Sequence, residues 1–388
     1  MNNLLVTMSG GTTSVINATL AGIIDAAVKS DIIDNIYAGC PGILGVFKES
    51  FLKLTESDTH VIKNSPGSAS IGTTRVEIFN EKQLHELENI FDNNNIKYFI
   101  NIGGNGTIKQ SKSIASKIND ISIAAAPKTV DNDLGDSEFE DLWFTPGFPS
   151  CANYWYHKTR MLNNENIGAC THDKVIIAQA FGRKTGFITG AMRLFDPDRN
   201  TPLVLLLSED QQPAHVVIEK IKQKVSDHGR AIVGICEGYD VSEYDFEYDK
   251  SGQEMYGSSS SSAVQELVNL CIKNNIQARG YNPTVDQRQN FEYTLSSDLD
   301  ISYKIGEEII NNFSKGKSHF FQSYSKSGLK AIDLNDINNF SRVMKDEWID
   351  WGNFDVSDSY IEYLKEFTDI EKHKLTSRNK LFVKGKVV

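Results

Sequence analysis

The chain has 388 residues, of which 40 are Lys or Arg and 51 are Asp or Glu, so its formal net charge is -11. This acidic balance argues against nucleic acid or an anionic membrane as a partner, because both bind to basic surfaces. The length is sufficient for two closely associated domains with sizeable cores.

Neither a basic segment followed by a long apolar stretch nor a run of about 20 apolar residues is present, so we expect no signal peptide and no membrane span. The five cysteines are scattered and lack C-x-x-C spacing. This pattern is typical of free thiols in a reducing compartment, and we expect a cytoplasmic protein.

Short apolar runs that predict strands alternate with helical patterns along the chain. The first run, NLLVTM, leads through Ser9-Gly10-Gly11 into the helical pattern SVINATLAGIIDAAVKS. The later runs are IKYFINI, ISIAAA, KVIIAQA, LVLLLS and AIVGICEGY. The alternation predicts an α/β fold of the doubly wound class, with mostly parallel sheets covered by helices on both faces. In such sheets ligands bind at the carboxyl ends of the strands, where most of these runs carry Gly, Asp, Asn or Glu.

Two glycine-rich turns between a strand and a helix predict a phosphate site. They are Ser9-Gly10-Gly11-Thr12 and Gly103-Gly104-Asn105-Gly106-Thr107. Glycine lets the backbone approach a bulky anion, and a helix N-terminus supplies N–H groups and positive partial charge. A lone Gly-Gly pair is also common in plain tight turns, but two at the same end of one sheet favour phosphate binding.

The segment PKTVDND, which follows the run IAAA, places Lys128 close to Asp131 and Asp133. If the segment is extended, both carboxylates point to one side, so that one can act as a general base and the other can orient a hydroxyl or touch a metal-bound phosphate. The alternative is an Asx turn that caps the next helix. Lys128 favours the chemical role, because a lysine beside a phosphate loop neutralises charge that develops during transfer.

Candidate ligands for an anionic substrate lie in the second half of the chain. Lys174 and Gly182-Arg183 stand at the two ends of one apolar strand, and Arg279 and Arg288 flank GYNPTVDQ. Convergent guanidinium groups bind such substrates, although single arginines are usually solvated surface residues. Glu237 can accept a hydrogen bond from a sugar hydroxyl or cap a helix. No G-x-S-x-G, Walker A or H-E-x-x-H motif supports another chemistry.

Seven segments resemble, in order, the landmarks of the phosphofructokinases, most of all the bacterial diphosphate-dependent branch: SGGTTSVINATLAGII, IGGNGT, PKTVDNDL, TPGFPSCANY, FGRKTG, CEGY and DQR…SSDLD. The resemblance covers roughly residues 1–318. It implies two doubly wound domains with the active site in the cleft between them. We expect residues 1–148 to bind the donor, residues 149–330 to bind the sugar phosphate, and residues 331–388 to form a C-terminal extension of unknown role.

The resemblance also implies roles for single residues. Asp131 matches the base that takes the proton from the sugar 1-hydroxyl, Thr129 and Asp133 match its substrate-holding neighbours, and Lys128 completes the catalytic set. The donor is expected to bind to Gly10, Gly11, Arg75, Gly104, Gly106 and Thr107.

On the sugar side, Glu237 matches a sugar-binding acid, and Arg279 and Arg288 match the family's pair for the 6-phosphate. Phe181-Gly182-Arg183 stands where the family usually has Met-Gly-Arg. Lys174 stands where an arginine often reaches in from a neighbouring subunit, which implies a homodimer or homotetramer.

Three positions bear on the metal and the donor. Asn105 replaces an Asp that organises the metal in much of the family, so we expect a weaker contact with Mg²⁺ through its amide oxygen. Gly106 is typical of ATP users, whereas Lys128 is typical of diphosphate users, and some ATP-using relatives carry both. The donor therefore stays open between diphosphate and ATP.

The leading hypothesis is a phosphotransferase that moves a phosphoryl group from diphosphate, or alternatively ATP, to the 1-hydroxyl of fructose 6-phosphate, with Mg²⁺ bridging donor oxygens. A second hypothesis is a regulatory relative that has lost turnover, motivated by Asn105, Gly106 and Phe181. A third is an enzyme of the same kind with another sugar-phosphate acceptor.

Overall fold

The structure, a computed structural model, describes residues 1–65, 69–76, 80–241, 262–337 and 340–368, and all structural statements concern these ranges. The strands are β1 (Asn3–Met8), β2 (Asn35–Gly39), β3 (Phe51–Leu54), β4 (Ile96–Gly103), β5 (Ser122–Pro127), β6 (Val175–Ala180), β7 (Leu203–Leu206), β8 (Ala231–Cys236), β9 (Ala278–Tyr281), β10 (Phe320–Ser325), β11 (Gly328–Asp333), β12 (Ile349–Asp350) and β13 (Asp355–Val356).

The helices are α1 (Ile16–Val28), α2 (Gly42–Phe47), α3 (Glu56–Lys63), α4 (Glu81–Asn93), α5 (Asn105–Ala115), α6 (Phe148–Ala169), α7 (Phe187–Ala191), α8 (Ala214–His228), α9 (Ala263–Lys273), α10 (Asp286–Gln289), α11 (Ser296–Ser314) and α12 (Asp358–Lys365). Short 3₁₀ helices span Met192–Phe195 and Asp346–Trp348. Within the described ranges, no helix combines the length and apolar character that a membrane crossing requires.

The chain forms two compact units, and their boundaries differ from the predicted ones. Unit 1 comprises Met1–Cys151 and Arg288–Arg342, and unit 2 comprises Ala152–Gln287 and Val343–Val388. The first boundary lies close to the predicted residue 148. Residues 288–330, by contrast, belong to unit 1, because β10 extends its sheet beside β5 and α11 packs against α1. The predicted extension is divided between the units, and its residues 369–388 lie outside the described ranges.

The sheet of unit 1 has seven strands in the order β11-β10-β5-β4-β1-β2-β3. The five central strands are parallel, and the two edge strands, β11 and β3, are antiparallel to their neighbours. Side chains of β1 alternate between two buried clusters: Leu4, Val6 and Met8 pack with α1 and α11, whereas Leu5 packs with α2, α4 and α5. Helices therefore cover both faces, as expected for a doubly wound sheet.

The sheet of unit 2 has four parallel strands in the order β7-β8-β6-β9. Its core contains apolar residues of β6, β7 and β8 together with those of α8 and α9. The predicted α/β class with two mostly parallel-sheet units is therefore confirmed.

Candidate active site

Three strand ends of unit 1 bring the predicted donor residues together. β1, β4 and β5 are neighbours in the sheet, and their carboxyl ends lead into the Gly10-Gly11 turn, the Gly103-Gly104 turn and Lys128. Backbone hydrogen bonds join these ends: Ser9 N donates to Ile102 O, and Lys128 N donates to Gly103 O, both at 2.9 Å. The parallel register thus places the two glycine turns and the PKTVDND segment side by side.

The glycines are required by geometry at two of these positions. Gly10 has φ +76°, in the left-handed region that favours glycine. A Cβ on Gly103 would lie 2.0 Å from Thr107 Oγ1, which is buried in the first turn of α5. The helix begins at Asn105, so Asn105 and Gly106 lie at its N-terminus, where backbone N–H groups favour an anion.

Lys128 lies beneath the Gly10-Gly11 turn and is almost fully buried. Its ammonium donates hydrogen bonds to Ser9 O, at 2.9 Å, and to Gly11 O. The pKa of Lys128 is lowered to about 7, first by burial and then by the positive charge of Arg288. Arg75 acts in the same direction, while Asp131 and Asp133 raise it. Lys128 is therefore a buried amine that holds the turn, and its protonation depends on the charges around it.

Arg288 lies beside the same turn. A Cβ on Gly11 would come within 2.8 Å of Arg288 Nη1, and Ser14 N donates to Arg288 O at 2.9 Å. Arg75 is exposed. Unit 1 thus contains Arg288, whereas Arg279, its predicted partner for the sugar phosphate, belongs to unit 2.

The segment that contains both acids is not extended at its centre. Asn132, between Asp131 and Asp133, has φ +54° and is fully buried. Asparagine tolerates this left-handed conformation better than most residues, and here its side-chain oxygen accepts a hydrogen bond from Thr145 N at 2.9 Å. The sequence left an extended segment and an Asx turn open, because three consecutive polar residues do not reveal which side chain will form a buried contact.

Hydrogen bonds hold the two acids and their neighbours. Asp131 N donates to Thr129 Oγ1 at 3.2 Å. Asn105 Nδ2 donates to Asp133 Oδ2 at 3.0 Å and to Asp133 O at 3.3 Å. Asn105, which was predicted to contact the metal through its amide oxygen, thus contacts Asp133 through its amide nitrogen.

A buried carboxylate, Asp298, holds the strand beside Thr129. Asp298 Oδ1 accepts from Gly147 N at 3.1 Å, and Oδ2 accepts from Ser150 N at 3.1 Å and from Ser150 Oγ at 2.6 Å. Gly147 forms a parallel bridge with Thr129. Burial raises the pKa of Asp298 to about 6, although these three donors lower it. Asp298 thus positions the Thr129 backbone from α11.

Three threonine hydroxyls around the Gly10-Gly11 turn are buried and have no hydrogen-bond partner within the described ranges: those of Thr12, Thr13 and Thr74. Thr74 forms a parallel bridge with Ser9, and its carbonyl accepts from Gly10 N at 2.9 Å. Since buried hydroxyls are normally paired, a bound ligand or water is expected to satisfy them.

In unit 2, the FGR segment and Glu237 meet at the carboxyl ends of β6 and β8. Arg183 Nε lies 3.8 Å from Glu237 Oε1, and the Glu237 side chain is buried. A Cβ on Gly238 would lie 1.9 Å from Arg183 O, so only glycine allows the two segments to approach this closely. Gly182 has φ +117°, and a Cβ there would lie 2.3 Å from Thr185 O.

Gln287 fixes the first residue of the FGR segment. Its Oε1 accepts from Phe181 N at 2.9 Å and from Trp155 Nε1 at 3.0 Å. The Phe181 backbone is therefore held in place although its side chain differs from the methionine typical of the family.

Lys174 and Arg279 lie at the other end of the unit 2 sheet from Arg183. Lys174 precedes β6, and Arg279 is opposite Ile176, near the start of that strand. Because the six residues of β6 separate the two ends, this pair is about 20 Å from the FGR segment. Arg279 Nη2 forms an ion pair with Asp173 Oδ2 at 2.8 Å and remains 62% exposed.

Sequence reasoning missed three positions that support the site: Asp298, Gln287 and Arg342. Asp298 and Gln287 lie within the DQR…SSDLD landmark, which is the only sequence signal for them. Arg342 contacts Asn132 from the predicted extension, a region without any motif.

The family model described as phosphofructokinase matches residues 3–290. The chain belongs to the phosphofructokinase family. It is accordingly a phosphofructokinase-type phosphotransferase, as predicted.

Relatives along nearly the whole chain carry a more specific name. The pyrophosphate–fructose 6-phosphate 1-phosphotransferase of Rhodospirillum rubrum is 27% identical, with 93% of each chain covered. The protein of the same name from Halomonas elongata is 25% identical, covering 94% of this chain and 91% of its own. The structure of the pyrophosphate-dependent phosphofructokinase of Marinobacter aquaeolei has a TM-score of 0.81 at 22% identity, covering 97% of this chain and 94% of its own, which supports the fold.

Proposed function

We propose that this phosphofructokinase transfers a phosphoryl group from diphosphate to the 1-hydroxyl of fructose 6-phosphate. The observation that carries the proposal is the convergence of Lys128, Asp131, Asp133 and Asn105 beside two glycine turns of one sheet. The names of the relatives from R. rubrum and H. elongata support the same donor and acceptor.

Unit 1 binds the donor in this proposal. Its two glycine turns and the N-terminus of α5 offer backbone N–H groups to the donor, and Arg288 and the charged form of Lys128 offset the negative charge. The donor-binding residues are Gly10, Gly11, Arg75, Gly104, Gly106 and Thr107.

Asp131 acts as the general base of the transfer. Its carboxylate takes the proton of the sugar 1-hydroxyl while that oxygen forms a bond to one phosphorus of diphosphate. The bond from this phosphorus to the bridging oxygen breaks, and phosphate leaves with the electron pair. Thr129 and Asp133 hold the reacting groups, and Lys128 stabilises the negative charge of the donor.

Magnesium fits this site as an ion that arrives with the donor. Within the described ranges, no group of three or more His, Cys, Asp or Glu side chains can hold a metal. Mg²⁺ commonly binds through one or two carboxylates and the phosphates of a substrate, and when bound it neutralises charge on the donor oxygens. We propose that Asp133 holds the ion and that Asn105 orients the Asp133 carboxylate.

Unit 2 binds the sugar phosphate in this proposal. Glu237 accepts a hydrogen bond from a sugar hydroxyl, and Arg183, held beside it, adds a donor. Phe181 and Gly182 shape the backbone around them. Arg288 stays a candidate for the sugar 6-phosphate, although its neighbours Gly11 and Lys128 favour a contact with the donor.

The donor is tested by steady-state assays with diphosphate or ATP, each combined with fructose 6-phosphate or sedoheptulose 7-phosphate, in the presence of Mg²⁺. We expect fructose 1,6-bisphosphate from diphosphate and fructose 6-phosphate, because the relatives from R. rubrum and H. elongata carry the name of that reaction and Lys128 is typical of diphosphate users. Turnover with ATP alone would contradict diphosphate as the donor. Binding of both substrates without any product would contradict a catalytic role and favour a regulatory relative.

We also propose that the enzyme is a homodimer or homotetramer in which Lys174 and Arg279 complete the sugar site of a neighbouring subunit. The support is their distance from Arg183 along β6, which prevents both groups in one unit from holding the same small molecule.

The oligomer proposal predicts complementation between two inactive variants. Arg183→Ala and Arg279→Ala each disable every site when alone, but a mixed oligomer contains sites with both arginines intact. After co-refolding in equal amounts, about a quarter of the wild-type kcat/KM is expected. Light scattering gives the oligomeric mass, and a mixture as inactive as its parents would contradict shared sites.

Finally, we propose that the enzyme works in the cytoplasm. None of the five cysteines forms a disulfide, and four of them are buried. Free thiols are the expected state in a reducing compartment.

A further inference from the structure

A short segment beyond the matched family region runs alongside the catalytic loop of unit 1. Gly135 N donates to Phe340 O at 3.1 Å, and Arg342 N donates to Asp133 O at 2.9 Å. Leu134 and Ser341 form an antiparallel bridge between these two hydrogen bonds. The family model ends at residue 290, so this contact comes from a part of the chain that the family description does not include.

The side chain of Arg342 reaches from this segment to the residue between the two acids. Its Nε donates to Asn132 O at 2.9 Å, and its Nη2 donates to Asn132 Oδ1 at 2.7 Å. Its Nη1 donates to Leu142 O, and the guanidinium carbon lies 3.8 Å from the centre of the Phe139 ring. The planar guanidinium fork thus holds both the backbone and the side chain of Asn132.

The conformation at Asn132 decides where the two carboxylates point. Asn132 has φ +54°, and a change of this dihedral would rotate Asp131 relative to Asp133. The side-chain oxygen of Asn132 accepts hydrogen bonds from both Arg342 and Thr145 N. Arg342 also donates to the backbone carbonyl of Asn132, whereas Thr145 N does not. The burial of Arg342 excludes water that would otherwise compete for these oxygens.

We propose that Arg342 is a positioning residue for phosphoryl transfer, which fixes Asn132 and through it the directions of Asp131 and Asp133. This inference rests on the proposed role of Asp131 as the base. It gives the predicted C-terminal extension a function: residues 340–342 complete the catalytic loop that the family landmarks encode.

The test compares Arg342→Lys with a matched control, Arg193→Lys. Arg193 is equally buried, belongs to unit 2, and holds the Asp355 carboxylate with its own fork at 2.9 Å and 2.7 Å. Lysine keeps the charge at both positions and removes the fork, so we expect both variants to unfold at a lower temperature. Only Arg342→Lys should lower kcat, by about 10- to 100-fold, with little change in either KM, since small misplacements of reacting groups have effects of this size.

Hydrogen exchange provides a readout that needs no substrate. We expect the backbone amides of residues 130–135 to exchange faster in Arg342→Lys than in the wild type, and to be unchanged in Arg193→Lys. If the wild type transfers no phosphoryl group, the proposed function fails, and exchange still tests whether Arg342 fixes the loop. Phe139→Leu, which removes only the ring beneath the guanidinium, should change kcat and exchange in the same directions but less, and it replaces Arg342→Lys if that variant does not fold.

Two results would overturn the inference. One is an unchanged kcat and unchanged exchange at residues 130–135 in Arg342→Lys. The other is an equal loss of kcat in Arg193→Lys, because the effect would then follow from lower stability rather than from the position of the acids.

Discussion

Asp131→Asn is expected to lower kcat by about 10²- to 10⁴-fold, the range that a general base contributes. The amide has nearly the same shape as the carboxylate but cannot take the proton of the sugar hydroxyl. The backbone hydrogen bond from Asp131 to Thr129 Oγ1 does not depend on the side chain, so the loop should keep its conformation. We therefore expect both KM values to change little, as measured by initial rates at saturating and subsaturating substrate.

The control for this variant is Asp141→Asn. Asp141 also lies in unit 1 and pairs with the exposed Lys330 at 2.6 Å. Asp141→Asn removes one carboxylate charge, as Asp131→Asn does. Asp141 is not among the proposed catalytic or binding residues, so kcat should stay near the wild-type value. Near-normal turnover by Asp131→Asn would show that another group accepts the proton.

Lys128→Met is expected to lower kcat/KM for the phosphoryl donor by about 10²- to 10³-fold. This is the usual effect of removing one group that stabilises negative charge in the transition state. Methionine fills a similar volume but leaves the carbonyls of Ser9 and Gly11 without the ammonium that holds them. Lys112→Met is the matched control, because Lys112 also donates to backbone carbonyls of unit 1, at Asn335 and Ile337. Its removal should lower stability without a comparable effect on the donor.

Lys128 also predicts a dependence on pH. Because the pKa of Lys128 is lowered to about 7, its positive charge is lost as pH rises through 7, and the wild-type kcat/KM for the donor should fall there. Ionisation of the donor affects both enzymes equally, so it cancels when the kcat/KM of the wild type is divided by that of Lys128→Met. This ratio should decrease as pH rises. A ratio that stays constant from pH 6 to pH 9 would contradict a charged role for Lys128.

The same shift has an opposite consequence for stability. The unfolded chain, with the pKa of Lys128 at its ordinary 10.5, binds more protons than the folded chain between pH 7 and 10.5. The contribution of Lys128 to the free energy of unfolding therefore rises with pH across this window. Activity and stability should thus change in opposite directions as Lys128 loses its proton.

Much of the fold was predictable because each strand and turn carries its own local signal. The run NLLVTM is buried on both faces in a parallel sheet, and Gly10 follows it at a left-handed turn that few other residues tolerate. The clustering of Lys128 with the glycine turns followed from the rule that the carboxyl ends of parallel strands share one edge.

Other features depend on contacts between segments far apart in sequence. Phe320 pairs with Ala124 across almost 200 residues, so no local pattern assigned β10 to the first unit. Asn132, which has a left-handed conformation, accepts hydrogen bonds from Arg342, whose sequence neighbourhood contains no motif. Burial of the Lys128 ammonium beneath the turn likewise requires the packed structure, because the sequence shows only a lysine beside two acids.

The most direct test of the proposed function is a ³¹P NMR spectrum of the enzyme with diphosphate, fructose 6-phosphate and Mg²⁺, recorded as the reaction proceeds. The proposed transfer predicts that the diphosphate signal is replaced by equal amounts of phosphate and of a new phosphate ester on the sugar 1-oxygen, and that Asp131→Asn largely abolishes both. An unchanged diphosphate signal in a sample that turns over ATP, or two phosphates per diphosphate with no new ester, would contradict it.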